Sequence, residues 1–330
     1  MSVLMEILGG FERSAVVLGA AQLDLFSPLG DGPATAAAVA EQTGLPVRGV
    51  ERVLNACAAL GFVTKEGDRY RNSPLADAFL VTGRPGYVGN MIRQTMDRYM
   101  AWSKLPEAVK AGKPVLPLTG AELFHAPPEV LDHYVHGLFD MGKGLAQRIG
   151  ALVDLNACRT LLDVAGGSGV YSIILCRQFP QLKATVFDLP PILQRTRQII
   201  AREGMSDRVT VREGNYFTDD FGVGFDAVLL SNVLQTEGRQ TCRMVLQKAF
   251  TALNPGGQLL IHGIMPNADR VSPVQPVIFS VFMMLVFPEG EAYTAEEILG
   301  WLHESGFIDG RKFSLPPPAF TSLVVARKPG

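Results

Sequence analysis

Cysteine is scarce and unpaired in this chain. Cys57, Cys158, Cys176 and Cys242 are the four present among 330 residues, and no two stand at a ligand or disulfide spacing. That excludes a disulfide framework and a thiolate metal site, and leaves reduced packing residues of the kind a cytoplasmic protein keeps. Charge of one sign is missing too: 30 Lys and Arg against 32 Asp and Glu leave a formal −2. Nothing therefore draws the whole chain toward nucleic acid or anionic lipid. No apolar run reaches the roughly 20 residues of a bilayer crossing. The most apolar stretch, Val277–Phe287, is short and flanked by prolines, so no stable membrane insertion is expected. The apolar opening, Met1–Leu8, has no basic leader and contains Glu6, which argues against a secretory signal. His133 and His136 share a helix face without a third ligand at metal spacing, so no metal is expected. There is no internal repeat and no low-complexity tail.

The chain is organised around Leu161–Gly169, which reads Leu-Leu-Asp-Val-Ala-Gly-Gly-Ser-Gly. Leu161, Leu162 and Val164 suit a buried parallel strand, and the glycines break the pattern. Val170–Phe179 reads as a helix that stops before Pro180, and Lys183–Asp188 as a second strand ending on a carboxylate. Strand, glycine turn, helix and acid-tipped strand form the nucleotide-binding half of a doubly wound sheet. Two acids then choose the nucleotide. Asp163, three residues before Gly166, would repel a pyrophosphate and attract an ammonium or a sulfonium. Asp188 is spaced to accept hydrogen bonds from ribose hydroxyls. S-adenosylmethionine, with its adenosine, positive sulfur, amino group and no phosphate, meets both demands. The competing reading is a tight turn that holds no ligand.

Asp163-Val-Ala-Gly-Gly-Ser-Gly, followed by Phe187-Asp-Leu-Pro, resembles the signature of S-adenosylmethionine-dependent O-methyltransferases of the plant caffeate and bacterial polyketide or phenazine type. The resemblance covers nearly the whole chain and extends to the bacteriochlorophyll C-methyltransferases. It implies an α/β fold: a Rossmann-like class I methyltransferase sheet behind a mainly helical, winged-helix dimerisation domain. The implied domains are residues 1–95 for dimerisation and 96–330 for catalysis, with linking and pocket helices over 96–155. A homodimer and a small-molecule acceptor come with it. Around the cofactor it implies Asp163, Gly166, Gly167, Gly169, Asp188 and Leu189, then Asn215, Tyr216 (able to pack on the purine face) and Ser231.

The segment to about Phe26 reads as a helix with a broad apolar surface, which the resemblance gives to a partner subunit. Ala34–Gln42 and Val47–Leu60 read as helices, and Phe62–Lys65 with Arg69–Arg71 as a hairpin, making a winged helix. A DNA reader would carry a basic face. Here Glu51 offsets Arg48 and Arg52, and Glu66 and Asp68 offset Lys65, Arg69 and Arg71. A packing and dimerisation module is the expectation, without nucleic acid. Gly86–Leu155 reads as mostly helical, with a loop over Gly112–Gly120. Met91 and Tyr99 there, and Phe282, Met283 and Phe287 in the apolar stretch, are candidates for the wall of an apolar substrate pocket. Core packing is the alternative for each. His136 is a candidate hydrogen-bonding group at cofactor or substrate. Arg208–Arg212, Phe225–Leu234 and Gln258–His262 read as the third to fifth strands. Thr294–Glu297 starts a helix with a capping box, and Phe307–Leu315 and Ser322–Ala326 read as antiparallel terminal strands.

Three positions depart from the resembled pattern. Relatives carry an acid after the third strand's glycine to accept from the adenine amine; Asn215 stands here, and its amide oxygen can still accept. Relatives place a catalytic histidine after the fourth strand, which falls at Gln235. Glutamine can position a hydroxyl but takes no proton at any working pH. The usual acid near the end of the fifth strand is replaced by His262-Gly263. Either His262 is a displaced base, or the chemistry needs none. The expected activity is methyl transfer to a hydroxyl of a small or medium apolar, aromatic molecule of secondary metabolism. Carbon methylation, an enzyme that binds the cofactor without transferring methyl, and a ligand-sensing regulator are the alternatives.

Overall fold

The computed structural model describes residues 1–116, 122, 125–315 and 319–330, which divide into a unit of Met1–Tyr99 and a second of Met100–Gly330. The first unit holds α1 (Ser2–Gln22), β1 (Ala34–Thr35), α2 (Ala36–Thr43), α3 (Val47–Ala59), the hairpin β2 (Val63–Glu66) and β3 (Arg69–Asn72), α4 (Pro74–Phe79) and most of α5 (Gly89–Trp102). Helical spacing turns Val50, Leu54 and Cys57 inward, where they meet Val39, Phe26 and Tyr70. This is a winged helix with one strand more than expected. Ala34 and Thr35 pair with Tyr70 and Arg69 instead of opening the helix, and the Thr35 hydroxyl caps α2 by accepting from the Ala38 N–H at 3.2 Å. The first helix stops at Gln22, short of Phe26, because Asp24 turns left-handed (φ 53) and sends Leu25 and Phe26 into the core. Val3, Leu4, Met5, Ile7, Leu8 and Phe11 stay exposed along α1.

In the second unit α6 (Leu105–Ala111) and α7 (Pro128–Leu152) precede a seven-stranded sheet. Its strands are β4 (Thr160–Val164), β5 (Lys183–Asp188), β6 (Val209–Glu213), β7 (Phe225–Ser231), β8 (Leu253–Gly263), β9 (Ile308–Ser314) and β10 (Ser322–Arg327), in the order β6-β5-β4-β7-β8-β10-β9. The strands from β6 to β8 in that order are parallel, while β10 runs antiparallel to both its neighbours, as the terminal segments imply. The connecting helices are α8 (Val170–Gln178), α9 (Pro190–Arg202), α10 (Arg239–Ala252), α11 (Val274–Val286) and α12 (Ala295–Glu304).

Side chains that alternate along each strand divide between two cores. Leu161, Val186, Leu229 and Leu260 pack with Val135 of α7, Ile173 of α8 and Ile192 of α9. Leu162, Val164, Phe187, Val228 and Ile261 pack with Val245 of α10 and Trp301 of α12 on the opposite face. By the same alternation Asp163, Ser231 and His262 belong to the α7–α9 face.

The fifth parallel strand starts earlier than expected. Leu253 already pairs with Phe225, and Asn254–Gly257 is absorbed as a register shift before Gln258 pairs with Ala227. Thr294 and Glu297 make the capping box that their spacing implies. From residue 117 on, the expected Gly112–Gly120 loop lies outside the described residues. Among the described residues no helix is long and apolar enough to cross a membrane.

Candidate active site

β4 lies between β5, which follows it in the chain, and β7, so the strand order reverses there. Ligands of doubly wound sheets bind at the carboxyl ends of strands at such a point. At this end Asp163 is wholly buried. Its Oδ2 accepts from the Ser172 hydroxyl at 2.8 Å, and its Oδ1 has no partner among the described residues. Loss of hydration pushes the carboxyl up to about 7, against the pull of Ser172. The backbone then turns left-handed at Ala165 (φ 50), Gly167 (φ 55) and Gly169 (φ 72). A Cβ on Gly166 would stand 2.7 Å from Asp163 Cγ, so the main chain passes directly over the acid.

Asp188 ties this turn to the next loop. Its Oδ2 accepts from the Gly167 N–H at 2.8 Å and its Oδ1 from the Leu189 N–H at 2.7 Å. Burial pushes its carboxyl up to about 6, while those two N–H groups pull it back. The Thr196 hydroxyl donates to the Gly167 carbonyl at 2.6 Å. Arg195 pairs with Asp132 at 2.7 Å and donates to the Pro128 carbonyl at 3.2 Å, which pins α9 to the start of α7. Asp163, Gly166, Gly167, Gly169, Asp188 and Leu189 thus form one continuous cradle.

Beyond β6, Gly214 leaves no room for a Cβ, which would fall 2.2 Å from the Phe187 ring, and its N–H donates to the Asp188 carbonyl at 3.1 Å. The Asn215 amide oxygen accepts from the Phe217 N–H at 2.9 Å. The atom expected to meet the adenine amine is therefore already the acceptor of a local turn. Tyr216 stacks on Phe217 with ring centres 4.6 Å apart, and its hydroxyl donates to Glu237 Oε1.

At the end of β7 the Ser231 hydroxyl bonds His262 Nδ1 at 2.9 Å. Asn232 takes a left-handed conformation (φ 59), donates its N–H to the His262 carbonyl at 2.8 Å, and donates its side-chain amide to Ser231 Oγ at 3.3 Å. Gln235 follows in a short 3-10 turn, Leu234–Thr236. Its Nε2 donates to Asn232 Oδ1 at 3.1 Å, and its Oε1 accepts from the Ile264 N–H at 3.3 Å. Both ends of the amide are thereby used within the chain. His262 is buried, with the Tyr171 ring 5.5 Å away and no partner on Nε2 among the described residues. Burial pushes its imidazole down to about 4, which keeps it neutral near pH 7.

The candidate substrate residues divide between the two units. Phe282 and Met283 are buried in a small cluster with Ala108 of α6, and Phe287 packs on the same cluster. Tyr99 packs on the core of the first unit, and Met91 lies in that unit too. On α7, His136 Nδ1 is 2.8 Å from the Asp132 carbonyl one turn back. Nothing in the sequence singles out Ser172, Thr196 or Glu237. Each takes its meaning from a partner that only the fold brings near, so no local pattern marks them.

A buried acid with one oxygen unpartnered among the described residues, under a turn with no room for a side chain at Gly166, fits a cofactor that brings positive charge and no phosphate. An O-methyltransferase domain model matches residues 102–308, and an O-methyltransferase dimerisation domain model matches residues 5–82. The chain belongs to the O-methyltransferase family. It is an S-adenosylmethionine-dependent methyltransferase with a dimerisation domain at its N-terminal end. This methyltransferase is 33% identical to the 3-hydroxy-5-methyl-1-naphthoate 3-O-methyltransferase of Streptomyces sahachiroi, over 99% of this chain and 95% of that one. It is 30% identical to the tetracenomycin polyketide synthesis 8-O-methyl transferase of Streptomyces glaucescens, over 99% and 96% of the two chains. The crystal structure of human N-acetylserotonin methyltransferase in complex with SAM superposes with a TM-score of 0.90 at 25% identity, covering 100% of this chain and 97% of that one.

Proposed function

We propose that this methyltransferase acts on a hydroxyl of a small or medium apolar, aromatic molecule, of secondary-metabolite or pigment type, without an imidazole base at position 235. The observation that supports it most is the double engagement of the Gln235 amide, by Asn232 and Ile264. A glutamine held this way shapes the site and removes no proton. The class of acceptor is drawn from the relatives: one is named for a naphthoate hydroxyl and the other for an oxygen in tetracenomycin polyketide synthesis.

Bound S-adenosylmethionine supplies a methyl group on a positive sulfur, already activated for displacement. The buried Asp163 would set a negative field toward the positive end of the cofactor, Asp188 would take the ribose hydroxyls, and Tyr216 the purine face. Gly166, Gly167 and Gly169 let the main chain approach, with Leu189, Asn215 and Ser231 around them. The chain's part in the transfer is to bind, orient and exclude water. Positioning alone is worth up to about 7–11 kcal/mol.

His262 makes a poor displaced base, because a proton on Nε2 is weakly held and Nδ1 is committed to Ser231. An acidic phenol ionises on its own and needs no proton acceptor from the chain. The same glutamine favours carbon methylation as the second reading. The exposed apolar side of α1 meets a second copy in a homodimer, and the enzyme works in the cytoplasm.

The test is product analysis. Incubation with S-adenosylmethionine and a panel of phenols should yield S-adenosylhomocysteine and a product one methyl heavier, with the methyl on oxygen. A methyl on carbon supports the second reading, and product formed without S-adenosylhomocysteine contradicts both.

A further inference from the structure

Glu237 follows the short turn that carries Gln235. It is half-buried, and desolvation pushes its carboxyl up. Both hydrogen bonds that reach the carboxylate, from the Tyr216 hydroxyl and from the Thr236 hydroxyl at 3.2 Å, end on Oε1. Among the described residues no donor reaches Oε2, which is left for another. The backbone is fixed as well: the Glu237 carbonyl accepts from the Tyr293 hydroxyl at 2.6 Å, and its N–H donates to the Leu234 carbonyl at 3.2 Å. Among the described residues no Lys or Arg makes an ion pair with this carboxylate; Glu289 lies close enough to push it up further. A carboxylate withdrawn from water without a cation is costly unless a hydrogen-bond donor arrives.

The position of Tyr216 says which donor that is. Two residues before it, Gly214 is bonded to the Asp188 carbonyl, and Asp188 lies close enough to act on the Tyr216 hydroxyl. A purine whose ribose sits on Asp188 therefore meets Tyr216 and the acid it holds. Asn215, the neighbour with the other amide acceptor, has its oxygen engaged by Phe217.

We propose that Glu237, held by Tyr216, selects adenine, its Oε2 accepting a hydrogen bond from the exocyclic amine of the purine. This rests on S-adenosylmethionine binding in the Asp188 cradle. The ligand class is an adenosine sulfonium or thioether with a free amine on the ring. Hypoxanthine, which carries a carbonyl oxygen at that place, would set one acceptor against another and be rejected.

Calorimetry on the full chain with S-adenosylhomocysteine and its deaminated counterpart, S-inosylhomocysteine, tests this without turnover. The unaltered enzyme should prefer the adenine ligand about tenfold or more. Glu237→Ala should lose that preference by weakening the adenine ligand alone. Glu237→Gln, nearly the same shape and able to donate as well as accept, should bind the two about equally. Asn215→Ala should keep the preference. Retention of the preference in both Glu237 variants, or its loss in Asn215→Ala, overturns the assignment. An unaltered enzyme that binds S-adenosylhomocysteine without preference overturns it too, while leaving the cofactor site standing. An enzyme that binds neither ligand overturns the cofactor site and this assignment with it.

Discussion

A methyl group on Gly166 would stand 2.7 Å from the carboxyl carbon of Asp163. The glycine is required because the acid lies under it, and the acid cannot yield, since it is wholly buried and bonded to Ser172. Gly166→Ala is expected to destabilise the protein by about 1–3 kcal/mol, the usual range for forcing a carbon into a packed site. It should also weaken S-adenosylhomocysteine binding. Thermal unfolding and calorimetry check this, and a variant unchanged in both would show that the two residues are not in contact.

Asp163 also makes stability depend on pH in a direction opposite to that of most paired acids. Its folded-state pKa is raised to about 7, above the ordinary value of 3.8. The folded protein therefore holds this proton more tightly than the unfolded chain. Its contribution is fully present below about pH 4 and is lost as pH rises toward 7. Asp163→Asn cannot ionise, so without ligand the stability of the variant should gain on the unaltered protein across that window and level off above it. Asp188 is also raised, to about 6, and its charge adds to the upward push on Asp163, so the difference reports the two acids as a coupled pair. Urea unfolding at a series of pH values measures the difference; a constant difference means Asp163 does not titrate there.

The parts of the site legible in the sequence are those made by near neighbours. The strand, the glycine turn and Asp188 lie within one strand–helix–strand unit, so pattern and spacing were enough to find them. The rest depends on pairs far apart in the chain. Ser231 and His262 meet across 31 positions, Tyr216 and Glu237 across 21, and Asp132 and Arg195 across 63. Composition does not separate core from pocket wall at Phe282 and Met283, which are 7% and 3% exposed beside Ala108. The first helix shows the same limit. Its apolar run continues to Phe26, and only the buried places of Leu25 and Phe26 explain why it ends at Gln22.

The first turns of α1 leave Val3, Leu4, Met5, Ile7, Leu8 and Phe11 in water, an apolar surface that soluble monomers rarely present in one stretch. Light scattering should give twice the chain mass for the intact protein. Leu8→Glu with Phe11→Glu should shift it toward the single chain at micromolar concentration, because each buried carboxylate would lack a partner. A monodisperse monomer from the unaltered protein contradicts the dimer.

Gln235 stands where a base would have to be, and the turnover of Gln235→Ala on a phenol accepted by the unaltered enzyme decides its role. The amide braces Asn232 and the end of β8 through two neutral hydrogen bonds. Losing that brace should cost about 0.5–1.5 kcal/mol for each bond that matters, so a rate loss of roughly tenfold is expected. Loss of a general base typically costs about 10²–10⁴-fold. A drop of a thousandfold, with fold and S-adenosylhomocysteine affinity intact, would contradict the passive role of Gln235. A drop of about tenfold or less is expected, with the pH dependence following the ionisation of whichever phenol is supplied.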